Sequence, residues 1–197
     1  MRPILSILFL SFGLLLSSVT GQPTAGEIQT MLQERDLEIK ELLGPEGTEY
    51  TQQQRDQLKN IINDVIDYRS MAAFALGNTY SDISEEQREE FVSLFATIIR
   101  DNSLNRLDIY RADVEYLNIE VNGNEALVET MAELENVRTR VDYNLRRNQD
   151  VWMITDMTID EVSTAESYNR QFQSIIRQRG FDALMQSLQR RAARANR

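Results

Sequence analysis

The stretch VRTRVDYNLR, residues 137–146, decides the fold class because apolar and polar side chains alternate along it without a break. Side chains of a β-strand point to opposite faces in turn, so Val141 and Tyr143 share one face while Arg138 and Arg140 share the other. This pattern is typical of an antiparallel strand with one face on a core and the other in water.

Alternation with a period of two continues on both sides of this stretch. Leu117, Ile119 and Val121 alternate up to Asn122-Gly123, a strong signal for a two-residue hairpin. The other predicted strands cover residues 117–122, 126–133 and 151–162. The sequence therefore predicts an antiparallel sheet of four strands, or slightly more, with short connections.

Helical periodicity occupies the remaining segments. Apolar residues recur at spacings of three and four in residues 27–43, from about Thr51, after Ser84 and after Ser163. Ser84 with Gln87, and Ser163 with Glu166, also fit the capping box that opens a helix. Helices followed by strands and then helices predict an α+β fold, with the sheet covered on one face by helices.

The N-terminal segment is typical of an exported protein. Arg2 precedes an apolar run over residues 4–16, and the small residues up to Gly21 suit cleavage by signal peptidase. The run is shorter than the roughly 20 residues of a membrane helix, so we expect no transmembrane segment in the mature form. The expected organisation is a signal peptide over residues 1–21 and a single domain over residues 22–197.

Composition excludes several classes of function. The chain contains no cysteine and no histidine, which removes nearly all zinc chemistry and both the Ser-His-Asp and Cys-His nucleophiles. We therefore expect no metal and no cofactor. The net charge of −10 is a poor match to a phosphate backbone, so we expect no nucleic-acid partner.

The C-terminus is basic although the chain as a whole is acidic. One acid, Asp182, accompanies a group of arginines there: Arg177, Arg179, Arg190, Arg191, Arg194 and Arg197. These residues allow two interpretations. They belong to a solvated last helix whose cations complement its dipole, or they contact anionic headgroups or an acidic partner.

The stretch DMTIDEVS, residues 156–163, brings three carboxylates close together in sequence. In a strand, Asp156 and Asp160 lie about 13 Å apart, whereas a cooperating carboxylate pair needs roughly 5–9.5 Å. We therefore interpret Asp156 as a structural acceptor where a strand gives way to a helix.

Two segments contain spaced motifs that are specific as a set. Residues 65–99 carry Ala75-Leu76-Gly77 after an apolar helix, and then Gln87, Phe91 and Phe95. Residues 151–188 carry W-x-I-x-D, then VS, Y-x-x-QF and G-x-x-x-L. The residues of this second set are Trp152, Ile154, Asp156, Val162, Ser163, Tyr168, Gln171, Phe172, Gly180 and Leu184. Together the segments resemble the MlaC family, the toluene-tolerance auxiliary components, although Asp160-Glu161 replaces the more usual E-G.

The resemblance implies a nuclear-transport-factor-like fold with a deep apolar pocket between sheet and helices. It also implies a periplasmic carrier rather than an enzyme, with glycerophospholipid as its cargo. The implied partners are an inner-membrane ABC transporter complex and an outer-membrane lipoprotein and porin complex, which together maintain the lipid asymmetry of the outer membrane.

Such a carrier needs an apolar hollow, because exposing acyl chains to water costs about 0.8 kcal/mol per CH₂. The candidate wall residues on the strands are Val141, Tyr143, Leu145, Met153 and Met157. Those on the helices are Phe74, Phe91, Phe95, Ile98, Phe172 and Ile176. Trp152 is expected on the strand face opposite Met153. Plain core packing is the alternative interpretation for every one of these residues.

Two other functions stay open at this point. An enzyme on a similar cone-shaped fold would use Asp156 and Tyr143 for proton transfer in an apolar pocket. An exported module for non-lipid binding or assembly would instead use the apolar helical stripes against a partner chain.

Overall fold

The computed structural model describes residues 24–47, 49–104 and 107–195. The predicted signal peptide, residues 1–21, lies outside the described residues. The helices are α1 (Ala25–Leu43), α2 (Gln52–Val65), α3 (Tyr68–Leu76), α4 (Thr79–Asp82), α5 (Glu85–Leu104), a 3₁₀ helix (Leu107–Arg111), α6 (Thr164–Arg179) and α7 (Phe181–Ala195). The strands are β1 (Asp113–Asn122), β2 (Glu125–Leu134), β3 (Val137–Asn148), β4 (Val151–Ile159) and β5 (Val162–Ser163). Within these ranges, no helix combines the length and apolarity needed to cross a bilayer.

The strands form one antiparallel sheet in the order of the chain. The prediction of an α+β fold with an antiparallel sheet is therefore confirmed. The predicted fourth strand is too long, because Asp160 (φ 46°) and Glu161 (φ 67°) turn the chain back after Ile159. Val162 then belongs to the short β5, the additional strand of the sheet. Glu161 adopts a left-handed conformation that glycine, usual here in the resembling sequences, adopts without strain.

Two β-bulges interrupt the alternation of side chains. Pairing between β1 and β2 shifts at Leu117, and pairing between β3 and β4 shifts at Thr155. A bulge adds one residue to a strand, so the side chains beyond it change faces relative to a regular strand. The expected common face of Leu117 and Ile119 is therefore wrong, and the Leu117 side chain is 47% exposed.

The outer face of the sheet is polar and carries cross-strand ion pairs. Arg140 contacts both Glu129 and Asp142, and Arg138 lies 3.3 Å from Glu115. Arg146 pairs with Glu125 at 3.3 Å. The arginines of the opening stretch thus lie on the solvent side, as the alternation predicted.

Helix packing divides between the sheet and a helical layer. Ile28 and Leu32 of α1 pack on the inner sheet face against Val128, Leu145 and Ile154. Helices α3, α5, α6 and α7 bury a second set of side chains among themselves. The sheet is therefore covered on its inner face, and the helical layer continues beyond it.

Side-chain caps fix the start of several helices. Ser84 and Gln87 form the predicted reciprocal capping box of α5, with N–H to O distances of 3.0 and 3.2 Å. Ser163 caps α6 through the Glu166 N–H at 3.0 Å, but the Glu166 carboxylate pairs with Arg170 rather than closing a box. The start of α6 is instead completed by a residue of β4, described below.

Candidate functional site

The inner sheet face combines buried and half-buried apolar side chains. On the central strand β2, Val128 and Thr130 are fully buried. Their partners across the strands, Tyr143 and Val141 on β3 and Tyr116 on β1, are only half-buried. The inner face therefore keeps accessible surface beside its most buried strand.

The buried side chains of the described residues fall into three separate clusters. The sheet cluster joins α1 to the inner sheet face, and the helical cluster joins α3, α5, α6 and α7. A third cluster contains Ile39 and Leu43 of α1, Leu58 of α2 and Leu107. A single contiguous core is usual for one domain, so this interior is divided.

Half-buried side chains lie between these clusters and contact more than one of them. Val65, at the end of α2, packs against both the helical and the sheet clusters. Leu104 and Tyr110 pack against both the helical cluster and the third cluster. The region where the clusters approach one another is therefore lined by apolar and aromatic side chains that are incompletely packed.

Three tyrosines of this region have hydroxyls that are withdrawn from water. Burial raises the pKa of Tyr116 to about 12, and the nearby Asp36 carboxylate adds to the rise. Burial also raises the pKa of Tyr143 far above 10, with smaller contributions from Tyr116, Tyr110 and Asp36. Burial raises the pKa of Tyr110 as well, against a hydrogen bond with Ser103. All three hydroxyls stay protonated at neutral pH.

Tyr143 illustrates the geometry of the site. Its side chain keeps accessible surface, yet its hydroxyl is shielded from bulk solvent strongly enough to raise the pKa. These two properties are those expected of a side chain that borders a space within the fold. Val141 and Met157, the neighbours of Tyr143 on the same sheet face, are also half-buried.

A groove of about 500 Å³ opens between α3 and the sheet, where most of its strand residues, among them Asn144 and Arg146, lie on the outer sheet face. Phe74 and Leu145, both predicted wall residues, line it together. Its other lining residues are Ser70, Ala73, Glu125, Ala126, Asn144, Arg146, Thr155, Asp156 and Ala165. Phe74 is 56% exposed, so an aromatic ring stands at the groove with little protein around it.

The predicted helical wall residues occupy the interior of the helical cluster. The rings of Phe91, Phe95 and Phe172 contact one another at centroid distances of 5.8 to 5.9 Å and have at most 1% exposure. Ile98 is buried in the same cluster, and Ile176 packs against it. The structure thus places these residues apart from the sheet residues with which they were grouped, and their contact with a cargo stays a prediction.

The predicted common face of Met153 and Met157 is wrong. The bulge at Thr155 pairs Met153 with Arg146, whereas Met157 pairs with Tyr143. Met153 therefore points with Arg146 to the outer face, and Trp152 takes the inner position. Trp152 thus lies on the face opposite Met153, as expected, and is buried in the sheet cluster.

Asp156 and Tyr143 do not form a proton-transfer pair. Asp156 pairs with Asn144 across β3, so its side chain and that of Tyr143 lie on opposite sheet faces. The Asp156 carboxylate accepts hydrogen bonds from the Ser163 hydroxyl at 2.5 Å and from the Ala165 N–H at 2.9 Å. Asp156 thereby completes the N-terminal cap of α6, the structural role predicted for it.

Sequence reasoning missed Tyr110 and Tyr116 as members of the site. Strict alternation from Ile119 assigns Tyr116 to the opposite face, and the bulge at Leu117 reverses that assignment. Tyr110 belongs to a 3₁₀ helix that has no periodic pattern. An aromatic residue just before a strand was the available signal, and it is a weak one.

Comparison with known proteins identifies a matching family and a solved structure with a similar fold. The sequence profile of the family described as MlaC protein matches residues 38–190. No curated protein matches this chain significantly. Among solved structures, a phospholipid-binding protein from Ralstonia solanacearum, determined in complex with a phospholipid, superposes with a TM-score of 0.72. The two chains are 20% identical, and the match covers 87% of this chain and 98% of the other.

Proposed function

The chain belongs to the MlaC family, and on that premise we propose that it is a periplasmic carrier of glycerophospholipid. Residues 22–197 form the lipid-binding domain in this proposal, and residues 1–21 direct export. The fold is shared with a solved protein that is described as phospholipid-binding and holds a phospholipid. The protein binds and moves lipid rather than transforming it.

The inner sheet face and its divided core are the observation that carries the proposal. Tyr116 and Tyr143 remain half-buried against the sheet cluster, and Tyr110, which interacts electrostatically with Tyr143, contacts the other two clusters. Filling this region with hydrocarbon would complete their packing, because protein interiors favour close contact on all sides.

A hollow of this chemistry suits acyl chains. Each methylene moved from water into an apolar environment contributes about 0.8 kcal/mol, so two tails supply a large driving force. Transfer from a bilayer into the protein exchanges one apolar environment for another, and the carrier needs no energy source of its own for that step.

The carrier proposal includes two protein partners. An outer-membrane lipoprotein and porin complex exchanges lipid with the carrier on one side, and an inner-membrane ABC transporter complex does so on the other. Family membership is the support for these partners. The lipid asymmetry of the outer membrane is the process served.

Native mass spectrometry of the purified protein, combined with extraction of bound lipid, tests the function directly. We expect one glycerophospholipid for each chain. Tyr143→Arg places a cation in the hollow and should abolish retention of lipid while far-UV circular dichroism shows a folded protein. Asn148→Arg is the matched control, because this side chain on the same strand is exposed and does not line the groove.

Two outcomes would contradict the proposal. A wild-type protein that carries no lipid after expression, and takes up none from vesicles, is not a phospholipid carrier. Equal lipid content in the Tyr143→Arg and Asn148→Arg variants would remove the inner sheet face from the binding site.

A further inference from the structure

The C-terminal half of α7 carries three arginines that form no ion pair with the described residues. Arg190 and Arg194 are exposed and Arg191 is half-buried. Several other arginines are paired with acids: Arg69, for example, binds Glu89 at 2.6 Å. The sequence after Asp182 contains no acid at all.

Exposed aliphatic side chains lie next to one of these arginines, Arg191. Arg191 lines a shallow groove of about 580 Å³ together with Ile159, Val162 and Tyr168. Ile159 is 38% exposed and Val162 is 55% exposed, although both are large apolar residues. The groove therefore combines a cation with accessible hydrocarbon at the end of the molecule where α7 ends and α6 begins.

This combination fits the surface of an anionic bilayer. Basic side chains bind anionic headgroups, while neighbouring apolar side chains enter the boundary between headgroups and acyl chains. An acidic protein surface would satisfy the arginines but offers no comparable apolar layer for Ile159 and Val162. Because the chain as a whole carries a charge of −10, an anionic surface repels its other faces and selects this one.

We propose that Arg190, Arg191 and Arg194, with Ile159 and Val162, form a docking face for anionic phospholipid bilayers. The acids nearest in sequence to the groove are Asp160 and Glu161 in the turn between β4 and β5. The Asp160 carboxylate accepts the Arg140 N–H at 3.1 Å. Glu161 is exposed and opposes the approach of anionic lipid. The biological role of this docking face rests on the proposed function, because a lipid carrier must contact membranes. Binding of the face to a bilayer can nevertheless be measured on protein that holds no phospholipid.

Co-sedimentation with vesicles tests the docking face. The probes are vesicles of phosphatidylcholine alone and of phosphatidylcholine with about one third phosphatidylglycerol. We expect binding to the anionic vesicles alone, weakened by salt. Replacing all three arginines by glutamine should lower the partition constant on the order of a hundredfold, since each basic side chain contributes about fivefold. Glu161→Gln should raise it.

A matched triple variant controls for net charge. Arg35, Arg138 and Arg146 lie in ion pairs away from this groove, and their replacement by glutamine changes the total charge equally. We expect this variant to bind anionic vesicles at least half as well as the wild type. An equal loss in the two triple variants would overturn the docking face, because net charge alone would then explain binding.

The remaining outcomes separate this inference from the proposed function. If the protein binds neither kind of vesicle but binds an acidic polypeptide such as polyglutamate, bilayer docking is overturned in favour of an acidic protein partner. Bound phospholipid is measured in the same variants by native mass spectrometry. If the α7 variant loses vesicle binding but still holds phospholipid, the docking face is supported. If the wild-type protein holds no phospholipid, the proposed carrier function is contradicted, but the measured vesicle binding still tests the docking face.

Discussion

The helical cluster and the inner sheet face differ in how completely their aromatic side chains are packed. Phe91, Phe95 and Phe172 fill the helical cluster with ring-to-ring contacts and have almost no accessible surface. Tyr116 and Tyr143 on the sheet keep accessible surface although their hydroxyls are shielded from water. The first region therefore supplies stability, and the carrier proposal assigns the space for a cargo to the second.

The largest expected effect concerns the filled region. Phe95→Ala removes a ring that contacts Phe91, Phe172 and Tyr168, and should lower the free energy of unfolding by about 3–5 kcal/mol. Met157→Ala, on the half-buried sheet face, should cost about 1 kcal/mol. Chemical denaturation of lipid-free protein measures both. Equal losses would mean that the two regions are packed alike.

An intermediate effect is expected where the two regions join. Asp156→Ala removes the acceptor that ties the first turn of α6 to β4 and should cost about 1–2 kcal/mol of unfolding free energy. Hydrogen exchange should show faster opening at the start of α6 than in α5. Asp113→Ala is a control because its side chain is fully exposed, and a larger loss in that variant would contradict the joining role of Asp156.

The smallest expected effect is a dependence of stability on alkaline pH. The pKa values of Tyr68 and Tyr116 rise from 10.0 to about 12 on folding, so the folded state holds these protons more tightly than the unfolded state. This contribution is complete below pH 10.0 and is lost as the pH rises toward about 12. Denaturation at a series of pH values measures the decline.

Tyr116→Phe sharpens the alkaline test. Phenylalanine has no proton to lose, so the decline above pH 10.0 should become shallower in this variant than in the wild type. Tyr50→Phe, remote from the inner sheet face in the third cluster, serves as the matched aromatic control. An unchanged decline in Tyr116→Phe would show that the hydroxyl of Tyr116 is not shielded in solution.

Local sequence patterns determined the elements and their order. The alternation over residues 137–146, the glycine of the first hairpin and the capping pair Ser84–Gln87 act over a few residues, and each occurs in the structure where it was predicted. The paired motifs around Phe91 and Trp152 also identified the family. Such features are readable because their physical causes are local.

Tertiary structure decided which apolar residues share a space. A bulge is a property of two paired strands, so the changed faces of Leu117 and Met153 have no signal in one strand alone. Likewise, the sequence patterns around the buried Phe95 and the half-buried Tyr143 are equally apolar. Only the packing of helices from distant parts of the chain determines that Phe95 lies in a filled cluster and Tyr143 in a less completely packed region. Periodicity in the sequence indicates which face of a helix or strand is turned away from water. How closely that face approaches the element packed opposite it depends on the whole fold.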